Sequence, residues 1–567
     1  MKLKSKQILL LIFLIFVPYL LTKVLNFEKN LTIVSIIFVI LIFISYRNLG
    51  VNNQNIENLI SRLNSVQTLF YVLSLIAFIL ISQNYYLIFE IVTWDVPSYL
   101  VGSQEIKNGS LPFETQWESK GPLLTYLYYL FSAMSGHSYI HFRVISDIIL
   151  ILLSVILFFY SYNISKNKII SSITSLTFAS MCSMRWYVSE YSEYFSLLFI
   201  GLAFYLFSNS KKTNRSYIIV GILIGISSLI NQASVLFVLP YIIFSTVKSK
   251  NFYKSVFSLF IGGFSPHLIF IIIYYFNGLL DVYFANYISI PLGYSADTSE
   301  SSIYEMRVWF REFYDFNKLL YFSLIGIIFG FLNQFKISIA KNFKLIRSDL
   351  VLLNLLVSLV IYFVGAHNYA HHLIYFIFFV SLLALKITKN YLQIAIAILI
   401  FIGSSSIFVK SFDTAIYNLN NLATVQKSYP MNQLATEIKN KFDGNSFNVF
   451  ALDYLIVLYY LEKPNYSYIV HPTNHFADYI TDVLEEIGKI EPNSVNKLLD
   501  ENPDVIICSP ERIHNGKSFK NKEFSCDPKD YSLQYSMIET EKFRIDPKLE
   551  YYWDPYRSIN VFVKLNK

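Results

Sequence analysis

Charged residues are scarce in this chain, and that scarcity excludes an ordinary soluble globular protein. Of its 567 residues only 15% are Asp, Glu, Lys or Arg, whereas 54% are hydrophobic and 17% aromatic. Soluble domains carry about 25% charged residues. The apolar residues form long runs such as "ILLLIFLIFVPYLL" and "LTIVSIIFVILIFISY", which are typical of membrane helices. The sequence predicts a polytopic membrane protein, and its net charge of +7 does not point to nucleic acid as a partner.

Cysteine is also scarce, and no P-loop, dinucleotide-binding or zinc motif stands out. Cys182 lies in an apolar run, whereas Cys508 and Cys526 lie in the polar tail. A disulfide between these two is compatible with an exported tail, but two free thiols fit the sequence equally well.

The segments expected on the cytoplasmic side carry few acids, which argues against nucleotide-sugar chemistry there.

The apolar runs predict about thirteen membrane helices. Helices 218–230 and 234–247 could instead form one long helix. If they are two helices, Lys and Arg are enriched on the same face of the membrane both before and after this pair, which favours two helices. The positive-inside rule then places the N-terminus in the cytoplasm. The predicted spans lie near 7–22, 31–46, 66–83, 140–162, 169–184, 194–208, 218–230, 234–247, 255–276, 319–335, 350–364, 372–386 and 391–408.

Three regions follow from this pattern. Residues 1–65 form a membrane hairpin with a cytoplasmic linker, and residues 66–408 form an all-α membrane core with outer loops at 84–139 and 277–318. In 409–567 short apolar stretches ("FNVFAL", "YSYIV", "DVIICS" and "INVFVKL") alternate with helical stretches. This alternation predicts a small α/β domain, which the orientation places outside the cytoplasm.

The first outer loop carries the most informative motif. "WDVPSYLVGSQEIKNGSLPFETQWESKGPLLTYLYYLFSAMSG", followed by an arginine, resembles the first outer loop of GT-C glycosyltransferases. The resemblance is to the enzymes related to protein O-mannosyltransferases and to aminoarabinose transferases. A valine follows the first acid where many relatives have a second acid, so metal use stays open. The matching residues are Asp95, Gly109, Pro112, Phe113, Glu118, Lys120, Gly121, Pro122, Leu123 and Arg143.

The resemblance implies sugar transfer from a polyprenyl phosphate to a lipid, glycan or protein acceptor, with inversion, at the outer face of the cytoplasmic membrane. Asp95 would be the general base, and partial desolvation would raise its pKa towards a useful range. The alternative is that Asp95 caps the helix that follows it. A tail segment, "DYLIVLYYLEKPNYSYIVHP", resembles the exported appendage of bacterial relatives, which would cover the site or bind acceptor.

Other charged residues complete the predicted site. Glu190 and Glu193 open a membrane helix, where carboxylates point to function unless they merely complement the helix dipole. The resemblance implies an acid that opens this helix, and Glu193 matches that position better than Glu190 does. Glu193 would be a second catalytic acid that orients the acceptor or the base, or that binds a divalent cation. The predicted substrate-binding residues are Glu118, Lys120, Arg143, Glu190, Arg307, Arg311, His371 and His372.

Two of these groups have alternative interpretations. Arg307 and Arg311 lie four apart and would grip phosphate, although Glu305 and Glu312 are near enough for ordinary ion pairs. His367 and His371 have a metal-ligand spacing, although the residues between them favour a loop.

Two other functions compete with this interpretation. A polymerase or ligase that moves whole lipid-linked glycans would keep its arginines in a late outer loop and would not need an early aspartate. A transporter or flippase would show inverted repeats and ionisable residues at mid-membrane. The sequence shows no such repeat.

Overall fold

The structure is a computed structural model, and it is mostly helical. The predicted helices near 7–22 and 31–46 lie outside the described residues, so the total of thirteen membrane helices stays a prediction. The described residues are 67–90, 93–296, 302–332, 349–363, 369–387, 390–492, 494–509, 526–538, 540 and 559–565.

Four helical segments in these ranges are long and apolar enough to cross a membrane. Each coincides with a span that the sequence predicts, and five further apolar helical segments are shorter. The four are Thr68–Ile88, Tyr139–Ser165, Phe252–Phe276 and Leu392–Asn420.

The helices of the membrane core and its outer loops follow one another as α1 (Thr68–Asn84), α2 (Asp95–Lys107), α3 (Pro122–Met134), α4 (Tyr139–Ser165), α5 (Lys168–Met181), α6 (Ser192–Asn209), α7 (Asn214–Ser228), α8 (Val238–Lys248), α9 (Phe252–Phe276), α10 (Leu280–Phe284), α11 (Ile290–Ala296), α12 (Ser302–Phe316), α13 (Lys318–Leu332), α14 (Leu350–Phe363), α15 (Ile374–Ser381) and α16 (Asn390–Asn420). Single turns of 3₁₀ or π helix extend several of them: Tyr85–Ile88, Gln232–Phe237, Ala285–Ser289, Ala370–Leu373 and Leu382–Lys386.

Glycines let α7 and α9 pack closely. A Cβ on Gly221 would lie 2.2 Å from the backbone oxygen of Leu259, and a Cβ on Gly262 would lie 2.2 Å from that of Ile218. Small residues allow such backbone approach between membrane helices. α7 ends at Ser228, so the predicted helices 218–230 and 234–247 are separate elements.

Both predicted outer loops are largely helical. The turn between α2 and α3 is held by Glu105, whose carboxylate accepts hydrogen bonds from the backbone N–H groups of Phe113, Thr115 and Gln116. Burial raises the pKa of Glu105 to about 7, although these hydrogen bonds favour its ionised form. This carboxylate fixes the turn that leads to Lys120.

The C-terminal part contains a four-stranded sheet in the order β1–β2–β4–β3. β1 (Val449–Ala451) and β2 (Val505–Cys508) are parallel, and β4 (Asn560–Lys564) runs antiparallel to β2 and to β3 (Tyr535–Met537). Its helices are α17 (Leu422–Ser428), α18 (Pro430–Lys441), α19 (Ile456–Leu461), α20 (Asp478–Glu486), α21 (Ser494–Asp500) and α22 (Pro528–Tyr531), with a 3₁₀ turn at Pro472–Phe476.

Two details differ from the sequence interpretation, and a third settles whether two cysteines form a disulfide. The stretch "YSYIV" is not a strand of the sheet; its Ile469 instead forms an isolated parallel bridge with Trp117 of the first outer loop. α16 continues to Asn420, so the boundary predicted at 409 falls inside a helix. Cys508 and Cys526 form a disulfide, with their Cα atoms 6.1 Å apart.

Candidate active site

Asp95 is the first residue of α2, and its carboxylate does not cap that helix. The side chain is 29% exposed and lies between two histidines. Its Oδ1 atom is 3.5 Å from Nε2 of His471, and its Oδ2 atom is 3.9 Å from Nε2 of His371. The capping interpretation therefore fails, and the carboxylate is available to a ligand from one side.

The pKa of Asp95 is shifted in the direction opposite to the sequence expectation. Burial raises it, but the hydrogen bond from His471 and the positive charges of His371, His471 and Lys120 outweigh burial. The pKa of Asp95 therefore lies below its ordinary value. Asp95 is a carboxylate anion beside Lys120 and two imidazoles. Sequence reasoning could not foresee this shift, because these groups are distant along the chain.

Glu193 lies in the first turn of α6, and it is 1% exposed. Its Oε1 atom accepts a hydrogen bond from the side chain of Asn231 at 3.0 Å and lies 3.6 Å from Nζ of Lys120. The same oxygen is 4.0 Å from Nε2 of His372. The structure thus brings four polar groups from four segments of the core together.

His371 and His372 share the 3₁₀ turn before α15. The ring of His371 stacks on Tyr191 at 4.5 Å between centroids and on Tyr369 at 5.7 Å, which fixes its orientation. Glu193, His371 and His372 each offer a ligand atom, and these atoms lie within 4.8 Å of one another. One carboxylate and two imidazoles are a fitting donor set for a divalent transition metal. The proposed partner of His371 for metal binding, His367, lies outside the described residues.

The segment from Glu118 to Leu123 is tied to the break after α7. Gly121 and Leu123 donate backbone hydrogen bonds to the carbonyl oxygens of Ile230 and Leu229. A Cβ at Gly121 would lie 2.1 Å from the Leu229 oxygen, so only glycine fits there. Glu118 is buried, and its Oε2 atom has no hydrogen-bond partner among the described residues.

Arg143 and Glu190, both predicted to bind substrate, are paired with each other. Nε of Arg143 lies 2.7 Å from Oε1 of Glu190, and both side chains are 3% exposed. Arg143 also donates to the carbonyl oxygens of Phe89 and Tyr86. This buried pair, which also binds backbone carbonyls, joins α4, the turn before α6 and the start of the outer loop. Its contacts favour a structural role over contact with substrate.

Arg307 and Arg311 are both exposed on α12. The next residue, Glu312, accepts a hydrogen bond from the indole of Trp186 and lies 3.5 Å from Arg185. This contact sets α12 against the segment that precedes α6. Among the described residues neither arginine forms an ion pair with Asp95, whose charged neighbours at ion-pair distance are His371 and His471. The predicted contact of the two arginines with phosphate stays a prediction.

Sequence reasoning missed three members of the site. Asn231 and Tyr191 are ordinary residues of apolar segments, and no spacing marks them. His471 follows the stretch "YSYIV", whose pattern predicts a strand of the sheet. Only the pairing of that stretch with the first outer loop brings His471 to Asp95.

His267, which the sequence favours as a core residue, hydrogen-bonds Ser228 and Tyr283. Both ring nitrogens of His267 therefore have partners within the helical core.

No protein-family model and no curated protein sequence matches the chain. Among solved structures, ArnT from Cupriavidus metallidurans bound to undecaprenyl phosphate superposes with a TM-score of 0.57 at 11% identity, covering 87% of this chain and 97% of ArnT. The chain has the GT-C fold. This confirms the fold that the outer-loop residues predict.

A second solved structure is less similar. The oligosaccharyltransferase AglB from Archaeoglobus fulgidus, in complex with an inhibitory peptide and a dolichol-phosphate, has a TM-score of 0.44 at 12% identity. The match covers 78% of this chain and 70% of AglB.

Proposed function

We propose that this chain is a membrane glycosyltransferase that moves a sugar from a polyprenyl phosphate to a lipid, glycan or protein acceptor. The observation that carries the proposal is the position of Asp95 in a GT-C fold: its partly exposed carboxylate faces Lys120 and two histidines. ArnT, whose fold the chain shares, was solved with undecaprenyl phosphate bound. The active site would face the outer side of the cytoplasmic membrane.

The phosphate leaving group of the donor needs little help from a general acid, whereas the acceptor hydroxyl needs a general base. The acceptor hydroxyl oxygen bonds to the anomeric carbon while the bond from that carbon to the phosphate oxygen breaks. The hydroxyl proton passes to Asp95, and the polyprenyl phosphate leaves with the electron pair as an anion. Attack from the face opposite the phosphate inverts the anomeric configuration.

The low pKa of Asp95 fits this role once the donor is bound. Lys120 and His371 help to hold that pKa down, and both are candidates to contact the donor phosphate. A phosphate anion beside them would offset their charge. The pKa of Asp95 would then rise, and the carboxylate would become a stronger base in the presence of its substrate.

Glu193, His371 and His372 would hold a divalent cation if the enzyme uses one. Such an ion would supply positive charge for the departing phosphate. Without it, Glu193 would position Lys120, whose Nζ atom lies 3.6 Å away. Glu118 has a carboxylate oxygen left for a sugar or acceptor hydroxyl, while Arg307 and Arg311 would meet the phosphate or the lipid headgroups.

The Cys508–Cys526 disulfide supports an extracytoplasmic C-terminal domain. Disulfides persist in oxidising compartments and are rare in the cytosol. The sheet that carries this disulfide belongs to the same chain segment as His471, which contacts Asp95. An outward C-terminal domain therefore implies an outward active site.

Release of the lipid carrier tests the proposed reaction. The purified full chain in nanodiscs is given a panel of polyprenyl-phosphate sugars with a membrane extract as acceptor source. We expect free polyprenyl phosphate to accumulate with at least one donor, as measured by mass spectrometry. No release from any hexose, pentose or amino-sugar donor would argue against a sugar transferase of this kind.

A further inference from the structure

The C-terminal domain is joined to the first outer loop by backbone hydrogen bonds. The N–H of Trp117 donates to the oxygen of Tyr468 at 2.6 Å, and the N–H of Val470 donates to the oxygen of Trp117 at 3.1 Å. The side-chain amide of Gln116 donates to the backbone oxygens of Asn465 and Ser467. Trp117 is fully buried at this junction. The segment before His471 is therefore fixed to the same loop that carries Glu118 and Lys120.

A second contact joins the domain to the residue beside Asp95. The indole N–H of Trp94 donates to Oδ1 of Asp453, just beyond β1, at 3.0 Å. The Trp94 ring also meets the ring of His471 edge to face, with 5.9 Å between centroids. Contacts at Trp94 and at Trp117 therefore join the domain to the first outer loop.

His471 reaches Asp95 from this docked domain. Its Nε2 atom is 3.5 Å from Oδ1 of Asp95, and its side chain is 12% exposed. The other ring nitrogen, Nδ1, lies 2.9 Å from the hydroxyl oxygen of Thr473. Nε2 donates its hydrogen bond to the carboxylate of Asp95, while the contact with Thr473 holds the other ring nitrogen. Contacts at both ring nitrogens thus fix the orientation of the His471 ring.

We propose that His471 is a positioning residue for Asp95, supplied by the C-terminal domain, so that the catalytic carboxylate is held correctly only while the domain is docked. The inference rests on the proposed function of Asp95. The two oxygens of Asp95 face different histidines, His371 from the core and His471 from the domain. Without His471, the carboxylate is free to rotate, and its base oxygen loses its alignment with the acceptor.

Two amide substitutions separate positioning from mere packing. In His471→Gln the amide nitrogen reaches roughly the place of Nε2 and still donates to Asp95, whereas in His471→Asn it reaches only the place of Nδ1. We expect His471→Asn to lower kcat about 100-fold, because a misplacement of about 1 Å has that effect. His471→Gln should retain most of the turnover, and the KM for the donor should stay unchanged in both variants.

The control is His141→Asn. His141 is an exposed histidine at the start of α4 that hydrogen-bonds the side chain of Ser138. This variant should behave like wild type. Equal losses in the Gln and Asn variants, or a wild-type kcat in His471→Asn, would overturn the positioning role. A wild-type kcat in His471→Asn together with an inactive Asp95→Asn variant would leave the proposed reaction intact.

A labelling experiment tests the contact without relying on activity. Diethyl pyrocarbonate acylates free imidazole nitrogens, and peptide mass spectrometry gives the rate at each histidine. We expect His471 to react several-fold faster in Asp95→Ala than in wild type, with no change at His141. An unchanged rate at His471 would overturn the inference even if the full chain transferred no sugar.

Discussion

At the scale of single residues, Lys120 is the cation that we propose to contact the donor phosphate. It lies beside Glu193 and lowers the pKa of Asp95. A charge-assisted hydrogen bond is worth about 1.5–3 kcal/mol, so Lys120→Met should raise the KM for the donor about tenfold to a hundredfold. Steady-state kinetics with a polyprenyl-phosphate sugar measures this effect.

The matched control for Lys120 is Lys107→Met. Lys107 is exposed at the end of the same loop's first helix and pairs with Glu462 at 2.8 Å. Its variant should keep the wild-type KM, since an exposed pair of this kind contributes little. Equal KM values in the two variants would remove Lys120 from the donor site.

The trio of Glu193, His371 and His372 makes a separate prediction about metal. Protein incubated with Zn²⁺ and then desalted should retain about one ion per chain, as a site with N and O ligands would. The double variant Glu193→Gln/His372→Asn should retain far less, as measured by elemental mass spectrometry. The same zinc content in this variant and in His141→Asn would rule out the trio as the ligands.

Several of the residues predicted from the sequence lie together in the candidate site, but the sequence could not assign their partners. Asp95 can be picked from the sequence by the resemblance of the outer loop, and Glu193 because an acid beside hydrocarbon points to function. Arg143 and Glu190 look like the same kind of residue, yet they bury each other's charge. Only the distance between their side chains tells a structural pair from a substrate contact, and that distance depends on packing between helices.

At the scale of elements, the glycine of the "KGPL" segment decides how the outer loop meets α7. A Cβ at Gly121 would lie 2.1 Å from the backbone oxygen of Leu229, so Gly121→Ala must displace backbone. Overpacking typically costs about 1–3 kcal/mol of stability. We expect a lower midpoint of thermal unfolding in detergent and a loss of activity.

Gly102→Ala provides the control for Gly121→Ala. Gly102 lies inside α2, and a Cβ there would meet no atom within 4 Å. Alanine favours a helix by about 1 kcal/mol over glycine, so this variant should be as stable as wild type or more so. A Gly121→Ala protein as stable as Gly102→Ala would contradict the close contact with Leu229.

Elements with a clear periodicity could be predicted, and those that depend on a distant partner could not. The span predicted at 255–276 is the helix Phe252–Phe276, because an apolar run bounded by polar residues fixes a helix locally. "YSYIV" has the composition of a strand but pairs with the outer loop instead of the sheet. Nothing in its own residues distinguishes these two partners.

At the scale of the whole molecule, Glu90 links the membrane core to the C-terminal part. Its carboxylate accepts hydrogen bonds from the backbone N–H of Met431 and from the hydroxyl of Tyr460, both at 2.8 Å. Burial raises the pKa of Glu90 to about 7 despite these hydrogen bonds. The unfolded value is about 4.3, so Glu90 makes the stability of the molecule depend on pH.

The sign of this dependence follows from proton binding. Between pH of about 4.3 and about 7 the folded state keeps a proton that the unfolded state has lost, so the contribution of Glu90 to stability falls as pH rises. Glu90→Gln imitates the protonated form and should remove this loss. The difference in thermal stability between the variant and wild type should therefore favour the variant more at pH 8 than at pH 5.

The control for Glu90→Gln is Glu114→Gln. Glu114 is exposed, so this variant should follow the wild-type profile of stability against pH. Unfolding midpoints in detergent across this range measure the effect. Parallel profiles for wild type and Glu90→Gln would show that Glu90 is ionised to the same extent in the folded and unfolded chain.

The central claim is that Asp95 is the base of a sugar transfer, and one measurement tests it most directly. The turnover of sugar transfer to a membrane extract is compared among wild type, Asp95→Asn and Asp281→Asn, all as full chains in nanodiscs. Asp281 is exposed in the second outer loop and serves as the matched control. The account predicts that only Asp95→Asn loses nearly all turnover; wild-type turnover in all three proteins would contradict it.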